Sequence, residues 1–171
     1  MADKPYDDTT AQPPGPDPAL RRLDRFVGTW EVSGRTLDVE EDNVSGRLTF
    51  EWLPGGFFLQ QRVELNFMGF AIAGLEVIGY DPATGKFPST VFASMIGVPI
   101  PYEYDVQGDH VTIRTELAGG ATFTGTWADD GSSMSGGWRP DPGKEGPGNV
   151  AYDISGTRAS LRSAATGGTR S

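Results

Sequence analysis

The chain contains no cysteine and only one histidine, His110. Without thiols it can build neither a disulfide framework nor a thiolate metal site. A single imidazole among scattered acids leaves a nitrogen-ligated metal centre short of donors. No metal and no cofactor are therefore expected, and nucleophilic hydrolysis by a Ser-His-Asp or Cys-His arrangement has no support. Basic residues are scarce too: 14 Lys and Arg stand against 23 Asp and Glu, a net charge of −9. Binding to a phosphate backbone depends on Lys and Arg displacing counterions, so nucleic acid and anionic membranes are not expected partners. Long hydrophobic runs are missing as well. The most apolar stretch, Phe67 to Leu75, falls far short of the roughly 20 residues of a membrane helix. Residues 1–18 hold no apolar segment behind a basic start and do not read as a secretory signal. A soluble, cytoplasmic protein is the expectation.

What is present fits one domain. A chain of 171 residues can bury a sizeable core without staples. Residues 1–16, rich in Asp, Thr, Pro and Gly, and residues 159–171, mostly Ser, Thr, Gly, Ala and Arg, read as disordered ends. The folded unit is expected over residues 17–158. It should open with a short amphipathic helix: Asp17 suits an N-cap, Pro18 the first helical position, and Leu20, Leu23, Phe26 and Val27 recur at helical spacing before Gly28.

From Trp30 onward the pattern changes to alternation broken by turn residues. Trp30, Val32, Gly34 and Thr36 share one face of the first strand, and Leu48, Phe50 and Trp52 one face of the second. In the third, Leu59, Gln61, Val63, Leu65 and Phe67 alternate with polar residues. A fourth strand, 70–80, is apolar on both faces and is expected to be covered on both sides. Further strands are predicted over 90–98, 102–106, 110–117, 121–127, 133–138 and 149–158. About ten strands in meander order, joined by loops too short for crossover helices, predict an all-β fold: a single antiparallel up-and-down barrel, on which the short N-terminal helix must lay Leu23 and Phe26.

The segment Leu23-Asp24-Arg25-Phe26-Val27-Gly28-Thr29-Trp30, a short helix running into Gly-x-Trp, resembles the opening of the calycin superfamily, which contains lipocalins, fatty-acid-binding proteins and nitrobindins. Within it the chain is similar to a bacterial lipocalin-like barrel family of unknown function. Three stretches carry that likeness: Thr49 to Gly56, Leu59 to Arg62, and Glu76 to Gly85. The resemblance implies that Trp30 plugs the closed end of the barrel as structure rather than as a ligand contact, with the short N-terminal helix capping that same end. Nitrobindin-like members bind heme through a histidine on a late strand. His110 lies mid-chain, and alternation sets it with Thr112, Arg114 and Glu116 on a polar face, so heme held by that ligand is not expected.

A barrel of about ten strands is wider than side chains alone fill, and the leftover volume predicts a ligand. Candidate cavity residues by parity are Phe50, Trp52, Gln61, Val63, Leu65, Glu76, Phe92, Tyr102, Tyr104, Phe123, Trp127 and Tyr152, with Phe67 and Trp138 beside them. Gln61 and Glu76 are the polar exceptions, and burial forces each to find a partner or shift its pKa. The bland reading is an internal hydrogen bond holding the barrel together, or an outward Glu76 paired with Arg62. Met68 to Phe70 and Gly97 to Tyr102 are apolar loops suited either to a portal lip or to a homodimer contact. Asp38, Glu40, Glu41 and Asp42 read as a solvated hairpin. The leading functional expectation is intracellular binding of a small hydrophobic molecule, with Gln61 or Glu76 as polar anchor. The alternatives are a cavity enzyme, a cyclase or isomerase, and a filled structural barrel with no ligand.

Overall fold

A computed structural model of the chain describes residues 14–159. The expectations for residues 1–13 and 160–171 lie outside the described residues. Ten strands run in order as β1 (Gly28–Thr36), β2 (Val44–Trp52), β3 (Leu59–Phe67), β4 (Phe70–Ile78), β5 (Phe87–Ala93), β6 (Ile100–Gln107), β7 (His110–Thr115), β8 (Ala121–Trp127), β9 (Ser133–Pro140) and β10 (Tyr152–Arg158). Each pairs antiparallel with its sequence neighbours, and β1 also pairs with β10, from Trp30 against Arg158 to Thr36 against Tyr152. That last pairing closes the sheet into a barrel, removing the two open edges a flat meander would leave. Among the described residues no helix is long and apolar enough to cross a membrane.

The N-terminal helix, Pro18–Arg25, is a 3-10 helix. Asp17 caps it, its Oδ1 accepting from Ala19 N at 2.8 Å. Its buried side chains, Leu20 and Leu23, are followed by Phe26, which closes the barrel end. Arginines lock it there: Arg22 donates to Gly85 O at 3.0 Å, and Arg25 reaches Gly108 O and the Asp109 carboxylate. From the far end of the chain Arg158 donates to the carbonyls of Val27 and Arg25. Trp30 is buried beside it, its indole N–H donating to Phe26 O at 2.7 Å.

Two expectations need correction. The fourth strand is not covered on both sides: Phe70 is 63 % exposed, and the outward residues Ala71 and Ala73 meet solvent. The fifth strand begins at Phe87 and ends at Ala93, so the segment 94–98 belongs to a loop. It starts early because Phe87 pairs with Tyr104 and packs, fully buried, against Tyr80 at 5.3 Å.

Glycine shapes one wall. Gly125 and Gly136 face each other across β8 and β9, and a Cβ on either would meet the Phe123 ring at 2.6 or 2.5 Å. At Gly136 it would also lie 2.4 Å from the Thr124 carbonyl oxygen, a backbone atom that cannot rotate away. Gly136→Ala is therefore expected to lower stability by about 1–3 kcal/mol, read as a lower denaturant midpoint.

Candidate functional site

The strands enclose a cavity of about 390 Å³. The helix end is floored by Phe26, Trp30 and Trp127. At the opposite end Ile96, Leu117 and Gly148, from three loops on that side, frame it. Between them the walls are apolar, because each strand turns its alternate residues inward. Leu48 and Phe50 come from β2, Val63 and Leu65 from β3, Ile72 and Gly74 from β4, and Phe123 from β8.

Polar groups collect toward the helix end. Glu76, on β4, is 3 % exposed. Ser89 Oγ donates to its Oε1 at 2.5 Å, and the Tyr104 hydroxyl donates to its Oε2 at 2.8 Å. Burial raises its pKa from 4.5 to about 7, against the opposing pull of those two donors. At neutral pH the carboxyl is therefore poised between its two protonation states. Gln61 is the β3 residue opposite it in register and is also buried. Its amide makes no side-chain hydrogen bond among the described residues. Burial, followed by the negative charge of Glu76, pushes the Tyr102 phenol up to about 12 and raises the Tyr104 phenol well above its ordinary value. Tyr152, near the loop end, is likewise raised, first by burial and then by Tyr102. All three phenols stay neutral and act as hydroxyl donors or acceptors.

Of the residues expected inside, Phe50, Gln61, Val63, Leu65, Glu76, Tyr102, Tyr104, Phe123, Trp127 and Tyr152 line this cavity, with Phe67 and Trp138. Trp52 and Phe92 do not. Trp52 shares the inward parity of β2 but sits past the barrel floor, where its indole N–H donates to Asp24 Oδ1 at 3.0 Å. Phe92 points outward and is 48 % exposed, while its neighbours Val91 and Ala93 point in. The inward face of β5 runs through Phe87, Ser89, Val91 and Ala93, opposite in parity to Phe92. A strand expected from residue 90 leaves out Ser89. An alternation beginning at the bulky Phe87 would have found it.

Outside the barrel lies an open depression of about 820 Å³ across β7 to β10 and β1. It is walled by hydroxyls and by charged groups, among them Arg139 paired with Asp153 at 2.6 Å. His110 stands there, outward, its Nδ1 3.1 Å from Thr126 Oγ1. The lumen thus presents no imidazole, and its residues do not fit a histidine-ligated heme. Among the described residues no three His, Asp or Glu side chains gather closely enough to hold a metal ion.

In fold the chain is similar to a protein of M. tuberculosis, Rv2717c, known from a crystal structure. The TM-score is 0.56 at 15 % identity, over 85 % of this chain and 99 % of that one. Identity that low speaks to the barrel architecture alone. No curated protein matches the sequence. A family model described as "Protein of unknown function (DUF1579)" matches residues 15–130, well over half of the length, and the chain belongs to that family.

Proposed function

We propose that the protein binds a small hydrophobic molecule in the barrel lumen, with the Glu76 and Gln61 end as its polar anchor. The observation that carries this reading is the unfilled interior: about 390 Å³, within the range of about 300–1,000 Å³ typical of ligand sites. The combination of apolar walls with a few convergent polar groups is the usual make-up of such a site. A cysteine-free, acidic chain suits the cytoplasm. The Trp30 indole, bonded to Phe26 O beneath the lumen, supports kinship with the calycin barrels. The exposed Met68, Met95 and Val98, on two loops at the end away from the helix, suit a portal lip.

Gly74 provides the test. It lines the cavity, and a Cβ there would make only ordinary contacts, 3.4 Å or more from its neighbours. Gly74→Phe should fill the lumen without disturbing the backbone. The neutral apolar dye N-phenyl-1-naphthylamine should brighten on wild-type protein, and roughly ten-fold more weakly on folded Gly74→Phe. Equal brightening would move the binding site out of the barrel.

A second reading is favoured by one observation: a buried carboxyl whose pKa is raised to about 7 on the wall of a cavity is tuned for proton transfer. In that reading Glu76 gives or takes a proton on a folded hydrophobic substrate, an isomerisation or cyclisation. Its signature would be turnover that fails in Glu76→Gln while binding persists.

A further inference from the structure

The lumen is lopsided in charge. Among the described residues Glu76 is the only acid lining it, and no Lys, Arg or His stands with it. Two hydroxyls, of Ser89 and Tyr104, lie within hydrogen-bond reach of this carboxyl and can both donate to its ionised form. That form lacks only a counter-cation. Gln61, its register partner on β3, lines the same space, and the amide oxygen can accept from a ligand N–H. Aromatic rings line the same space. Phe26 lies 5.2 Å from Phe50, 4.9 Å from Trp127 and 6.0 Å from Tyr104, ring centre to ring centre, and all four rings line the cavity. Such faces attract an ammonium once water is excluded. A fatty-acid carboxylate would instead meet the charge of Glu76 with no base to offset it.

Resting on the ligand-binding reading above, we propose that the helix end of the lumen takes the ammonium head of a hydrophobic primary amine. Glu76 and Gln61 accept its N–H groups, the rings face its charge, and its tail runs toward the loop-framed end.

Displacement of bound N-phenyl-1-naphthylamine by decylamine, decan-1-ol and decanoate tests this on the full chain. At about pH 8.5, where Glu76 is ionised and the amine still charged, decylamine should displace the dye at roughly ten-fold lower concentration than either analogue. Near pH 5.5 the preference should shrink as Glu76 takes up its proton. Around Glu76, β3 presents the neutral Gln61, β5 presents Ser89, and β6 presents Tyr102 and Tyr104, whose phenols titrate far above this range. Glu76→Gln should abolish the preference, whereas amine adsorbed on the acidic surface would ignore that substitution. If decan-1-ol or decanoate competes equally well, or the variant keeps the preference, the amine assignment falls and the hydrophobic site stands. If neither dye nor any amphiphile enters, the binding reading falls with it.

Discussion

Glu76→Gln is expected to leave stability nearly unchanged at about pH 4.5 and to raise it by about 3 kcal/mol above pH 8. The cause is the carboxyl pKa, lifted from 4.5 to about 7 by burial. Below the lower value the folded and unfolded chains both hold the proton, and burial of the group carries no charge penalty. Between the two values the unfolded chain releases it while the folded chain retains it, so folding grows less favourable as pH rises. Above the higher value the whole difference is lost to the folded state. Glutamine removes the titration yet keeps the bonds: its oxygen accepts from one of Ser89 and Tyr104, and its amide donates to the other. Urea unfolding of both proteins across this pH range reads the effect, with the other acids cancelling in the comparison. Parallel pH profiles would mean that water reaches Glu76 in the folded state.

Phe26→Ala should be the most damaging single truncation at the barrel floor, costing about 3–5 kcal/mol. The ring is 2 % exposed and stacks edge-on against Trp127, with Phe50 and Tyr104 at its other sides. Neighbours on three separate strands, each held by the ladder, have little freedom to collapse into the space. The void would also join the lumen to the helix side. The denaturant midpoint should fall with an unchanged slope, and Phe26→Leu should recover most of the loss. A cost below about 1 kcal/mol would show that the helix, rather than this ring, seals the end.

Much of this was legible in the sequence because a barrel strand has a period of two and one wet face. Strands such as β3, with Gln61, Val63 and Leu65 against Arg62 and Glu64, declare both existence and facing. Glu76 was legible as a polar residue on the lumen side of an apolar strand. Where the outer face is also apolar the signal weakens. On β4 and β5 the exterior carries Leu75 and Phe92, paired across the ladder, so parity alone reads either way and admits Phe92 to the interior. Trp52 shows a different limit: parity gives a side chain's direction but not its height along the barrel axis. The 3-10 form of the first helix was also beyond reach, since helical spacing over eight residues barely separates a period of 3.6 from one of 3.0.

The pairing of β1 with β10 sets an order of events as well as a shape. A ribosome releases β1 early and β10 late, so for most of synthesis the nascent sheet is an unclosed ribbon with β1 as a bare rim. Of the three arginines that fasten the N-terminal plug, Arg158 sits on that last strand. The vessel can therefore be sealed at its base only after nearly the entire described chain has emerged. Until then its greasy lining faces the translating cell, and the cell's chaperones are the natural guardians of that interval.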